Sequence, residues 1–278
     1  MIGQHPQLAG LPQLKLYAYE TVGDLEASLP RYWAARGFTH RSPGLVRAMA
    51  ELVFGGQSQM SLGCAREWLR QRSHWTGAEV CDVLLERLAP RQGVEKSPEN
   101  VETDEALSRI GAAYPQARFL HLTRHPVTTQ RSLDQHLRRN VPEFPIPGQP
   151  MSGIAYWLQI HLRILAFTAH LPAHANLRVR AEDVLNSPES QLRRIANWLA
   201  VGDEAGDIEA MLHPEASPFA CPGPEGSGII GGYDPEFLRN PIPHPVSAPP
   251  ALEPPAGWTG NGALWNQAAD LAAQLGYA

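Results

Sequence analysis

The sequence is short of cysteine, of positive charge and of long apolar runs, and each shortage removes a class of protein. Cys64, Cys81 and Cys221 are the only cysteines in 278 residues, and no C-x-x-C pair occurs among them. They offer neither a zinc motif nor a disulfide framework, so a reducing cytoplasm is the expected setting. Lysine and arginine total 23 against 28 aspartate and glutamate, a formal charge of −5. A surface that coats nucleic acid needs a basic excess, so no nucleic-acid partner is expected. A local anion pocket needs only a few well-placed donors and stays open. No apolar run approaches the ~20 residues that span a bilayer. The opening Met1-Ile2-Gly3-Gln4-His5-Pro6 lacks the charged-then-apolar pattern of a secretory leader. A G-x-x-x-x-G-K-[S/T] phosphate loop is also missing, and no internal repeat is evident.

What is present suffices for a core, since 43% of the residues are hydrophobic, close to the usual globular share. Residues 1–17 carry Leu8, Leu11, Leu14 and Leu16 between the helix-breaking Pro6 and Pro12, apolar enough to need burial. Three- and four-residue spacings of Leu, Val, Trp and Ala predict helices over 22–36, 43–54, 61–72 and 77–89, the last ended by Pro90. The rhythm then changes. Residues 117–123, largely apolar and preceded by Tyr114-Pro115, read as a buried strand. A helix should follow with Pro126 in its first turn, where a missing N–H costs nothing. A helix over about 151–170, a strand over 176–180 and a helix opening at Ser187-Pro188-Glu189 complete the pattern. Strands alternating with long helices predict an α/β protein with a parallel sheet flanked by helices. Twelve of the 26 prolines fall between Pro214 and Pro255. That stretch is too apolar for a free linker and is expected to wrap the surface, closing over a site.

In a parallel α/β sheet, ligands bind at the carboxyl ends of strands, beside helix N-termini. Arg124 stands at such an end, and Ser132 follows eight residues later in the next helix. An arginine there can fork two N–H donors onto a phosphate. A hydroxyl two turns into the helix can reach the same anion, aided by the positive helix end. Read in isolation, Arg124 would be a surface ion-pair former and Lys96 a solvated charge.

Arg124-His125-Pro126 with Ser132 resembles the site by which sulfotransferases hold the 3′-phosphate of PAPS (3′-phosphoadenosine-5′-phosphosulfate). Glu95-Lys96-Ser97-Pro98-Glu99-Asn100 is similar to the family's K-S-P or K-T-P segment. Arg180-Ala181-Glu182-Asp183-Val184-Leu185 is similar to its R-Y-E-D-L element, and 217–224 to the C-terminal loop of one bacterial, tyrosylprotein-sulfotransferase-like branch. The resemblance implies a P-loop-NTPase-like fold in a single domain over 1–278. Within it, 21–90 would be a helical substrate-side insert, 91–200 the nucleotide-binding core and 213–256 a Pro-rich wrapping segment. It implies a PAPS-dependent enzyme that moves a sulfuryl group to a hydroxyl or amine of a small-molecule or peptide acceptor, releasing PAP, without a metal. Arg124, Ser132 and Lys96 would bind the donor, Lys96 and Gln13 would line the pocket, and Glu182 and Asp183 would orient loops and cap backbone N–H groups. A homodimer is compatible with this reading. Trp33, Trp68 and Trp75 are either core residues or walls of an acceptor pocket.

The family pattern is incomplete here. A P-R-S-G-T-T-like loop, which holds the 5′-phosphosulfate, does not occur, and the opening residues resemble the stretch after it. Roughly 20 residues, a strand with its loop and part of a helix, are therefore expected to be lacking. Gln13 lies seven residues after Pro6, where tyrosylprotein-type relatives place a glutamate as general base; a neutral amide cannot accept that proton. His5, His40 and His121 are substitute candidates. Ala181 stands where many relatives place a tyrosine against the adenine. These departures imply an alternative, a PAP-binding or interaction protein without catalysis. A nucleotide kinase is a third reading. Residues 226–231 match G-x-G-x-x-G, yet they follow no predicted strand and read as a turn or flap.

Overall fold

The computed structural model describes residues 1–30, 34, 39–140, 153–227, 229, 231–254 and 261–277. Besides single-turn helices, these form β1 (Leu8–Gly10), α1 (Val22–Ala27), α2 (Pro43–Phe54), α3 (Gln59–Gln71), α4 (Gly77–Leu88), β2 (Gln92–Val94), α5 (Asp104–Ala113) and β3 (Phe119–Thr123). Then come α6 (Pro126–Asn140), α7 (Gly153–Thr168), β4 (Asn176–Arg180), α8 (Ala181–Asn186), α9 (Pro188–Leu199), α10 (Ala205–Met211), α11 (Pro235–Arg239) and α12 (Gly262–Gln274). Helix starts follow local chemistry. Ser42, Ser58 and Thr76 each accept a hydrogen bond from the N–H three residues on, satisfying a donor that the helix itself cannot. Thr76 and Glu79 close a reciprocal capping box. The helix expected over 22–36 is shorter. It stops at Ala27, because Pro30 disfavours helical geometry at Leu29 before it. Residues 31–33 and 35–38, with Trp33, lie outside the described residues.

The strands are parallel and flanked by helices, the α/β arrangement expected from the sequence, and among the described residues they form two separate pairs. The chain divides into two compact units, residues 1–117 with 188–243 and residues 118–187 with 244–278. The strands following Leu88 and Gln116 belong to different units, and the Pro-rich segment changes unit after Pro243.

In the first unit β1 pairs with β2, Leu8 opposite Gln92 and Gly10 opposite Val94. Both strands are three residues long and do not stand out by periodicity. The apolar residues after β1 find the core they need: Leu11, Leu14 and Leu16 pack with Leu45 and Met49 of α2, Leu62 and Leu69 of α3, and Val80 and Leu84 of α4. Two glycines let this segment pass. A Cβ at Gly44 would stand 2.3 Å from the Gln13 carbonyl oxygen, and one at Gly77 would stand 2.3 Å from that of Leu16. Neither approach leaves room for a side chain. Phe219 and Ile229 of the Pro-rich segment enter the same core. A smaller cluster joins α9 and α10 through Leu192, Ala196, Ile208 and Met211.

In the second unit β3 pairs with β4 from Phe119 opposite Asn176 to Thr123 opposite Arg180. Alternate residues of a strand share a face. Phe119, His121 and Thr123 accordingly meet Phe167, His161 and Tyr277, while the intervening Leu122 is 54% exposed. Val127 of α6, Ile154, Trp157 and Leu158 of α7, and Trp265, Leu271 and Leu275 of and after α12 form this unit's core.

Candidate functional site

The turn between β3 and α6 is built as an anion site would be. Arg124 follows the last residue of β3 and is exposed. Its guanidinium has no hydrogen-bond or ion-pair partner among the described residues. The turn beneath it is fixed from two sides. The indole Nε1–H of Trp157 donates to the Arg124 carbonyl at 2.8 Å, and the buried Glu182 carboxylate accepts the His125 N–H at 2.8 Å. Pro126 has no N–H to leave unpaired, and the Val127 N–H goes to His125 Nδ1 at 3.3 Å. The helix therefore starts abruptly, its partial positive end next to a free guanidinium. Ser132 is half-buried nearly two turns into α6, four residues after Thr128 on the same face, and helical Cβ atoms lean towards the N-terminus. Gln130 locks α6 to the next helix by accepting the Ile154 N–H at 2.8 Å.

A second strand-end cluster lies in the first unit. Gln13 and Lys96 come shortly after the paired strands β1 and β2, so the parallel register carries both to the same sheet end. Gln13 is half-buried, its N–H donating to the Gly232 carbonyl at 2.7 Å and its carbonyl accepting from Ser42 Oγ at 2.9 Å. Its side-chain amide is neutral. Glu95 is a structural tie: it accepts from the Leu14 N–H (3.1 Å), from Asn100 Nδ2 (3.0 Å) and from the Ser97 hydroxyl. Lys96 is exposed, yet desolvation of its ammonium holds it below the ordinary lysine range, with Glu95, Asp234 and Glu99 opposing. No sequence motif marks Lys15 or gives Glu99 a role of its own. The Lys15 ammonium lies 2.6 Å from the Glu99 carboxylate, with the Arg41 guanidinium at 4.0 Å. One signal was available, since Lys15 is a lone charge between Leu14 and Leu16.

The model of the sulfotransferase family matches residues 1–204 of the chain. The chain belongs to the sulfotransferase family. Solved structures agree on the fold. The sulfotransferase domain from the curacin biosynthetic pathway matches 100% of this chain and 91% of its own, at 18% identity and a TM-score of 0.74. That from the Synechococcus PCC 7002 olefin synthase matches 98% and 87%, at 24% identity and a TM-score of 0.67. No curated protein matches.

This sulfotransferase uses two of its three candidate histidines for structure. His5 accepts the Gln7 N–H at Nδ1 (3.0 Å) and bonds the Gly202 carbonyl through Nε2 (2.7 Å). His40 accepts the Ser42 N–H at Nδ1 (3.1 Å), which puts its proton on Nε2, 2.8 Å from Glu26. His121 is buried, with Nε2 2.8 Å from His161 Nδ1 and its own Nδ1 without a partner among the described residues. Trp68 and Trp75 meet edge to face at 5.3 Å, half-buried against the core, with Arg72 over Trp68 at 4.1 Å. They serve packing. In the glycine-rich stretch 226–231, residues 228 and 230 lie outside the described residues, and Ile229 is a core residue. Among the described residues no group of three His, Cys, Asp or Glu could hold a metal, and no helix is long and apolar enough to cross a membrane.

The histidine pair makes an acid-sensitive point behind the Arg124 turn, because the Trp157 ring packs on His161 at 4.5 Å. Burial holds both imidazoles below their ordinary range, followed by His161 and then Arg178 for His121, and by Arg178 for His161. Both stay neutral in the folded protein when free histidine, with a pKa of about 6.5, takes up a proton. Only the unfolded chain then binds protons, so stability is retained above about pH 6.5 and falls as pH drops below it. Unfolding free energy is expected to fall by up to ~1.4 kcal/mol per pH unit per histidine between pH 6.5 and 5. Urea titrations of wild type and a His121→Phe/His161→Leu variant check this; parallel pH profiles would contradict it.

Proposed function

We propose that this sulfotransferase binds PAPS and moves its sulfuryl group to a hydroxyl or amine of a small-molecule or peptide acceptor. The observation that carries the reading is Arg124: an unpartnered, exposed guanidinium on a doubly anchored turn at a strand's carboxyl end, directly before a helix. A weakly hydrated, forked cation without a partner among the described residues is available to an anion. Arg124 would fork onto the 3′-phosphate and Ser132 would donate to the same group. When bound, PAPS supplies an activated sulfuryl group on a phosphate leaving group. The chain's own part is positioning and charge stabilisation, as in phosphoryl transfer. Lys96, its ammonium held below the ordinary lysine range, is suited to neutralise negative charge. Gln13 can orient an acceptor hydroxyl by hydrogen bonding and cannot take its proton.

That last point, with His5 and His40 committed to internal bonds, favours one second reading, a PAP-binding protein without transfer. One titration series separates the readings. PAP at 100 times its dissociation constant should stabilise the protein by about 2.7 kcal/mol, and ADP, which lacks the 3′-phosphate, should bind much more weakly. Equal stabilisation by the two would defeat the 3′-phosphate assignment. Transfer of label from [³⁵S]PAPS would eliminate the second reading, and ATP binding without PAP binding would favour a kinase.

A further inference from the structure

The R-A-E-D element after β4 and the turn after α12 meet behind the Arg124 turn, and no sequence motif joins them. Glu182 spends one carboxylate oxygen on the His125 N–H at 2.8 Å. Its other oxygen accepts from the Tyr277 hydroxyl at 3.1 Å. Because the tyrosine proton goes to the carboxylate, its oxygen is free to accept from Thr123 Oγ1, 3.0 Å away. Thr123 is the residue immediately before Arg124, so Tyr277 reaches both flanks of that arginine, directly at Thr123 and through Glu182 at His125. The ring also stands edge-on to the His125 imidazole, with centroids 5.5 Å apart at 90°. Tyr277 is 4% exposed.

The tyrosine is itself held in register. Arg180 Nη1 donates to the Gly276 carbonyl at 2.6 Å, and Asp183 orients that guanidinium through two bonds of 2.8 and 2.9 Å. The Arg180 guanidinium lies over the Tyr277 ring at 5.7 Å. Glu182, Tyr277 and Thr123 thus each have assigned partners, and among the described residues the Arg124 guanidinium has none. Anion recognition by one exposed arginine depends on how firmly its backbone is preset, since any ordering left until binding is subtracted from affinity.

We propose that Tyr277 is a positioning residue for anion binding at the Arg124 turn, acting through Glu182 and Thr123. This extends the 3′-phosphate reading above and rests on it. Removing the hydroxyl leaves Glu182 with one ligand fewer and leaves Thr123 Oγ1 only its long 3.4 Å bond to the Val179 carbonyl, and the turn gains freedom while its guanidinium stays in place. The role is carried by bonds from residues 95 and 154 positions away in the chain.

The test compares wild type with Tyr277→Phe, Glu182→Gln and Glu182→Ala by calorimetry with PAP and with ADP, and by hydrogen exchange at the His125 amide. Tyr277→Phe should weaken PAP binding about tenfold, the scale of one lost hydrogen bond, and leave ADP binding unchanged. It should also speed exchange at His125. Glu182→Gln keeps an acceptor for His125 and should bind PAP nearly as wild type does; Glu182→Ala should not. Equal PAP affinity in Tyr277→Phe, or equal losses for PAP and ADP, would overturn the positioning role. Should wild type not prefer PAP to ADP, the 3′-phosphate reading fails. Unchanged His125 exchange in Tyr277→Phe would separately reject the path through Glu182.

Discussion

Replacing Arg124 with alanine is expected to raise the dissociation constant for PAP about 10- to 100-fold, the scale of one charge-assisted contact of roughly 1.5–3 kcal/mol. The lower end applies if solvent still reaches the contact, because rim charges are screened. Folding should be untouched. The Arg124 side chain has no partner among the described residues, and the backbone bonds that fix the turn, from Trp157 and to Glu182, survive the substitution. Melting temperature and circular dichroism should match wild type. Arg124→Lys keeps the charge and loses the planar fork, so its affinity should fall between the two. Raising ionic strength should weaken wild-type binding more than that of the alanine variant, since a screened charge has less to lose. Identical PAP affinity in wild type and Arg124→Ala would remove Arg124 from the site.

The second large effect concerns stability and the Pro-rich segment. Arg47 of α2 is fully buried. Its Nε donates to Gln57 Oε1 at 2.6 Å, and Nη1 donates to the carbonyls of Cys221 (2.8 Å) and Gly231 (2.6 Å). Nη2 reaches the Cys221 thiol at 3.2 Å, and the guanidinium lies 5.8 Å from the Phe219 ring centroid. One cation thus ties two points of the segment to a core helix. The same segment reaches the end of β1, where the Tyr233 hydroxyl donates to the Leu11 carbonyl at 3.1 Å. Arg47→Ala leaves two carbonyls and a side-chain amide unpaired beside a cavity, and should cost about 3–5 kcal/mol of unfolding free energy. Lysine cannot replace the fork, so Arg47→Lys should recover little. Urea unfolding measures the loss, and limited proteolysis should show new cleavage within 213–243. A variant as stable and as resistant as wild type would refute the anchoring role.

The wrapping segment illustrates how far composition reads. Its prolines exclude a long helix, leaving only short ones such as α11, and its apolar residues exclude a free linker. The anchor was not legible, because a buried arginine looks like any other arginine until four acceptors converge on it. The candidate site divides the same way. Arg124, His125, Pro126 and Ser132 stand close together, so strand, turn and helix could be read locally. The expectation that Glu182 caps a backbone N–H is met at His125, but which N–H it caps is a tertiary fact.

Local chemistry by itself determined most helices, the strands β3 and β4, the turn between β3 and α6 and the family, because periodicity, caps and short motifs act within a few residues. Tertiary structure decided the rest. Strands β1 and β2 are three residues each and exist through pairing with each other. His5 and His40 became structural once distant acceptors claimed their nitrogens. The division of the chain into two units depends on which segments share a core. Trp157 and Tyr277 gained their parts from bonds 33 and 95 positions long, which no local pattern encodes, because cooperative packing fixes them only when the whole unit is assembled.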